Sequence, residues 1–114
     1  MSNEDVITKM LAYCAKIQTY SAGLDERQFY ASSMVTEACV FDLIQIGELI
    51  TKLDPEFMET NPQIPWKEIR GFRNRLVHDY EGINMALLWE IVKTDLPDLI
   101  GKLNGLLTPP QQKA

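Results

Sequence analysis

Apolar residues recur every three or four positions along almost the whole chain, and nowhere does a run alternate apolar and polar residues between turn formers. A period near 3.6 builds one buried stripe on a helix, whereas a half-buried strand needs a period of two. The chain is thereby confined to helix-on-helix packing. Its 114 residues can bury roughly 65% of the unfolded surface, enough for one core and too little for two. A single all-α domain over residues 1–108 follows, with 109–114 as a loose C-terminal tail that has nothing to bury.

Capping residues divide the pattern into helices. The first is expected from about Glu4 to Ala22, with Ser2 or Asn3 as N-cap and Gly23 as the stop, and its stripe is Val6, Ile7, Met10, Leu11, Cys14 and Ile17. A longer second helix is expected from Asp25 or Glu26 to Leu53, carrying Phe29, Val35, Ala38, Cys39, Phe41, Leu43, Ile46, Leu49 and Ile50. Asp54-Pro55-Glu56 reads as N-cap, first position and acidic first turn of a short helix, which Asn61-Pro62-Gln63-Ile64-Pro65 must end. The next helix is carried from Trp66 to about Tyr80 across Gly71 and stops at Glu81-Gly82. Asn84 caps a last long helix containing Leu87, Leu88, Trp89, Ile91, Val92, Leu96, Leu99, Ile100, Leu103 and Leu107, with a kink or break near Pro97. Four main helices and one short one, joined by short connections, predict an antiparallel up-and-down bundle.

Charge and cysteine usage narrow the function classes. The net charge is −5, which disfavours bulk binding to long nucleic acid. Residues 1–60 hold ten acids and four bases, yet 61–80 hold Lys67, Arg70, Arg73 and Arg75 against only Glu68 and Asp79. One locally basic segment is thus suited to gripping a few nucleotides. Met1-Ser2-Asn3-Glu4-Asp5 is polar and acidic, unlike a targeting segment, and no apolar stretch is long enough to span a bilayer. The expectation is a cytoplasmic protein without a membrane association. Cys14 and Cys39 lie in apolar helical patterns and lack partners at metal-ligand spacing, so both read as buried, reduced thiols and no metal site is expected.

The run Arg73-Asn74-Arg75-Leu76-Val77-His78-Asp79-Tyr80 gathers residue types that handle phosphate. Arginine offers a planar donor fork, and histidine exchanges a proton near neutral pH. At about 100° per residue on a helix over 66–80, Ile69, Phe72, Leu76 and Tyr80 share the core side with Arg73 at its edge. Asn74 and His78, four apart, are neighbours on the opposite side. Val77 falls between Arg73 and His78 on a surface that a monomer would leave wet, so the wheel asks for something to cover that face. Each residue also has a plain structural explanation. Asn74 and His78 fit a solvated helix face, Arg73 an edge residue whose stem lies over the core, and Tyr80 a core aromatic with its hydroxyl at the rim.

Arg73, Asn74 and His78 match the pattern of arginine, polar residue, three arbitrary positions and histidine that marks the HEPN superfamily of helical ribonucleases. Tyr80 completes the extended form of its HepT-like toxin branch. Ile46-Gly47-Glu48 resembles that branch's glycine-glutamate signature, and Ile64-Pro65-Trp66 its lead-in to the catalytic helix. Trp89-Glu90-Ile91-Val92 through Leu96-Pro97 resembles its last helix. The matches run in order through nearly the whole chain.

The resemblance implies a homodimer whose two motif helices face each other, and a metal-independent endoribonuclease that needs no cofactor. It implies the toxin of a toxin-antitoxin pair, with RNA as substrate and an MNT-type (minimal nucleotidyltransferase) antitoxin as partner. His78 would move the proton, Arg73 would stabilise charge on the phosphorane, and Asn74 would orient the histidine or the phosphate. Tyr80 corresponds to the position that receives adenylate in related toxins. Arg70 and Arg75 are candidates to extend a phosphate track, and Glu48 either supports the site or merely solvates its helix. The competing implication is a non-catalytic helical dimer that docks a nucleotidyltransferase partner.

Overall fold

A computed structural model of the chain describes residues 1–107; the expected tail at 109–114 lies outside the described residues. The architecture is the helical bundle that the periodicity requires. Helix α1 (Asn3–Ser21) starts from a capping box, in which Ser2 Oγ accepts from the Asp5 amide and the Asp5 carboxylate accepts from the Ser2 amide. Gly23 follows it with a φ of +76°, a conformation open to glycine because it lacks a Cβ. Val6, Ile7, Met10, Cys14 and Ile17 are fully buried along α1, as their spacing requires.

The second helix is not continuous as expected. It divides into α2 (Glu26–Ala31) and α3 (Ser33–Leu49), and a 3-10 turn over Ile50–Lys52 completes the stretch. Ser32 leaves helical geometry with a ψ of 95°, and its Oγ accepts from the Val35 amide to cap α3. Serine's short hydroxyl competes with the helix for backbone hydrogen bonds, so two adjacent serines make this the weakest point of the run. The bend turns Phe29 into the core, where its ring centroid lies 5.3 Å from that of Trp89. Phe41, one of the apolar residues of this run, stays 58% exposed on α3.

The short helix α4 (Pro55–Glu59) forms as expected, although Asp54 caps it without a side-chain hydrogen bond. Its carboxylate accepts from Asn3 Nδ2 and its amide donates to Asn3 Oδ1, tying this corner to the start of α1. The expected helix over 66–80 is replaced by two short helices, α5 (Trp66–Arg70) and α6 (Phe72–Leu76), and a small antiparallel hairpin of β1 (Val77–His78) and β2 (Gly82–Ile83). The final helix comprises α7 (Met85–Glu90), a π-helical turn over Ile91–Asp95, and α8 (Leu96–Leu107). Proline at 97 offers no N–H and crowds the carbonyl one turn back. The irregularity expected there is the wider turn just before it, where the Leu96 amide reaches the Ile91 carbonyl.

Helix α1 packs along α3 and against α8, while α5 and α6 lie on α3. No helix among the described residues is long and apolar enough to cross a membrane. Cys14 and Cys39 are buried free thiols, their pKa values pushed by burial to about 12 and about 11. Neither is poised as a nucleophile.

Candidate active site

The motif residues ride on an arm formed by α5, α6 and the hairpin. Ile69, Phe72 and Leu76 bury themselves at 1%, 5% and 0% exposure and fasten the arm to the core. Gly47 of α3 permits the close approach. A Cβ built there would lie 2.8 Å from the Ile69 carbonyl oxygen and 3.5 Å from that of Arg70. The glycine next to Glu48 is therefore the seat for the arm. Arg73 and Asn74 lie exposed on α6, and the Gly71 junction keeps helical hydrogen bonds from Lys67 to Gly71 and on to Arg75.

Helical geometry ends at Leu76. The Leu76 carbonyl accepts from the Asn84 amide at 2.8 Å, Val77 opposes Ile83, and His78 opposes Gly82, whose φ is +80°. Three expectations change with this turn. His78 is exposed on a strand, so it does not sit one helical turn above Asn74. Val77 is half-buried against the core, which removes the wheel's reason for covering it. Tyr80 does not pack at the core edge; it stands at the hairpin tip with 101% relative exposure. The signal was present in the sequence, since Val77 and Ile83 flank a polar stretch ending in a glycine, the composition of a hairpin with a three-residue loop.

Among the described residues, no hydrogen bond or ion pair joins the side chains of Arg73, Asn74, His78 or Tyr80 to one another. Donors and a proton carrier are presented to solvent within one short stretch, free to be ordered by a bound phosphate. Glu48 is exposed near the end of α3, and its carboxylate likewise makes no hydrogen bond to the motif residues. Arg70 and Arg75 line different cavities. Arg70 lines a cavity with Lys67 and Trp66, whereas Arg75 lines another with Glu68, Asp95 and Asp98. Among the described residues, no group of three or more His, Cys, Asp or Glu side chains is placed to hold a metal.

The family model for HepT-like ribonucleases matches residues 10–105, spanning the core, the arm and the last helix. The chain belongs to the HepT-like ribonuclease family. It is 35% identical over 102 residues to a Methanocaldococcus jannaschii protein named as a candidate RNase, covering 87% of this chain and 94% of that one. Over 85 residues it is 35% identical to a similarly named protein of Caldanaerobacter subterraneus subsp. tengcongensis, covering 75% and 76% of the two chains. A probable ribonuclease HepT of Thermococcus cleftensis is 29% identical over 105 residues, 92% of this chain and 96% of its own. No solved structure matches the chain. Within the HepT-like frame, the Gly47 seat and the break after Leu76 give the glycine-glutamate and arginine-to-tyrosine segments their physical meaning.

Proposed function

We propose that this HepT-like ribonuclease is a metal-independent endoribonuclease that cuts RNA with Arg73, Asn74 and His78, and that it is the toxin of a toxin-antitoxin pair. The observation that carries the reading is the arm itself: all three residues are solvent-facing on a short segment whose backbone is pinned at Gly47 and at Leu76–Asn84. In the first step a ribose 2'-hydroxyl loses its proton to His78 and its oxygen attacks the adjacent phosphorus. The P–O5' bond breaks, and the leaving 5'-oxygen takes a proton from a histidinium or from water. Arg73 stabilises the charge on the phosphorane, and Asn74 holds a phosphate oxygen. Because His78 sits beyond the helix, Asn74 is assigned to the phosphate rather than to orienting the histidine.

A second copy completes the cleft in this reading, giving a two-fold dimer. Met34 and Phe41, seven apart on α3 and 85% and 58% exposed, supply an apolar strip that suits burial by that copy. The exposed Tyr80 hydroxyl suits modification by a nucleotidyltransferase antitoxin: its oxygen attacks the α-phosphorus of ATP, and pyrophosphate leaves. The attached adenylate adds a negative charge to the arm that bears Arg73 and competes with RNA for that arginine.

The test is cleavage of single-stranded RNA by purified protein in chelator, with a deoxyribose substrate as control. His78→Ala and Arg73→Ala should each cost at least about a hundredfold. Equal cleavage by wild type and His78→Ala defeats the assignment. Tyr80→Phe should keep cleavage yet gain no adenylate mass with partner and ATP.

A further inference from the structure

One cavity beside the arm has a lining that the cleavage chemistry does not use. It measures about 400 Å³ and is bounded by Ile50, Pro55, Met58, Glu59, Trp66, Lys67 and Arg70, within the size range of small-ligand sites. The Trp66 indole is held rigidly. Its Nε1 donates to the Met58 carbonyl at 3.1 Å and the Asn61 carbonyl at 3.0 Å, and the Phe57 ring backs it at 6.2 Å between centroids. An aromatic fixed in this way loses little entropy when a flat ligand packs on it.

Charge decides what the cavity takes. Two cations, Lys67 and Arg70, stand at its edge against one carboxylate, Glu59. The cavity on the α8 side of the same arm is bordered by Glu68, Asp95 and Asp98 with Arg75; Asp98 is paired with Lys102 at 3.0 Å, and the carboxylates that remain leave this side less favourable to a phosphate chain than the Lys67 and Arg70 side. A strand gripped by Arg73 and Asn74 therefore runs towards Lys67 and Arg70. Arg70 precedes Asn74 by four residues along the helical hydrogen-bond ladder through Gly71, a rise of about 6 Å, comparable with one nucleotide step.

We propose that this cavity is a nucleobase subsite for the nucleotide next to the cleaved phosphodiester, specific for a base bearing an exocyclic amine. The base packs on Trp66 and Met58, Lys67 and Arg70 hold its phosphate, and the Glu59 carboxylate accepts from the amine. Uracil offers a carbonyl oxygen to Glu59 in place of that donor and is rejected. The subsite rests on the ribonuclease reading for its substrate, but it is read out by binding alone.

The probes are all-2'-O-methyl tetranucleotides of cytosine or of uracil, which lack the 2'-hydroxyl needed for cleavage. They are titrated into the Trp89→Phe protein, leaving Trp66 as its one tryptophan. The cytosine probe should change Trp66 emission and bind about tenfold tighter than the uracil probe. Lys67→Ala with Arg70→Ala should weaken both by about tenfold or more at an unchanged melting temperature, and Glu59→Gln should erase the preference. Unchanged Trp66 emission at saturation, or equal affinity for the two probes, overturns the subsite even where wild type cuts RNA. Binding with these dependences but no RNA cleavage by wild type upholds the subsite and defeats the nuclease reading.

Discussion

Gly47→Ala isolates the contact that positions the arm bearing Arg73, Asn74 and His78. The new Cβ would stand 2.8 Å from the Ile69 carbonyl oxygen, against an ordinary contact of about 3.5 Å. The opposing atom is backbone, so α5 must retreat by roughly 0.7 Å as a unit. Overpacking of this kind costs about 1–3 kcal/mol, while alanine in a helix interior returns about 1 kcal/mol relative to glycine. The net is a loss on the order of 1 kcal/mol, or roughly 5 °C in melting temperature for a domain of this size. Activity should suffer more, because a shift of this size at a positioning element costs on the order of tenfold. Gly101 and Gly105 of α8 have nothing within 4 Å of a built Cβ, so alanine there should raise stability by about 1 kcal/mol each and leave cleavage alone. Thermal melting by circular dichroism and initial rates on single-stranded RNA provide the two readouts. A Gly47→Ala protein that melts at or above wild type and cuts RNA at the wild-type rate refutes the close-approach argument.

Asp42→Asn should raise the melting temperature at neutral pH and lose that advantage in acid. Asp42 is 5% exposed with Oδ2 unpartnered, and burial raises its pKa although Lys16 pulls it down. Between its unfolded and its higher folded pKa the folded form binds more protons, so stability falls as pH rises through that interval; a constant difference between variant and wild type from pH 4 to 8 contradicts this. Gly82→Ala, at a φ of +80°, should cost about 1–2 kcal/mol locally and loosen the hairpin under His78. Cleavage should drop and the melting temperature should fall at least as far as in Gly47→Ala, and unchanged cleavage would show that hairpin register is irrelevant to His78.

Local chemistry in the sequence determined the helices that stand alone. The capping box at Ser2, the proline start of α4, the Asn84 cap and the apolar stripe of α1 each need only neighbours within a turn, and each is where the residues put it. The segment from Arg73 to Tyr80 was legible as chemistry for the same reason: residue type and order survive any change of backbone. Its geometry was not legible from helical periodicity. A helix continued through Tyr80 and a helix broken at Leu76 both bury Ile69, Phe72 and Leu76, so periodicity could not choose between them. The choice falls to partners that the helical repeat does not encode: Gly47 on α3 receives the Ile69 carbonyl, and within the hairpin the Asn84 amide donates to the Leu76 carbonyl and Val77 pairs with Ile83. Likewise, Ser32 ends α2 where the packing of Phe29 against Trp89 accompanies the bend. Side-chain pattern sets which surface is buried, but backbone pairing outside the helical repeat sets where a backbone turns away, and it is that turn which carries His78 and Tyr80 into solvent.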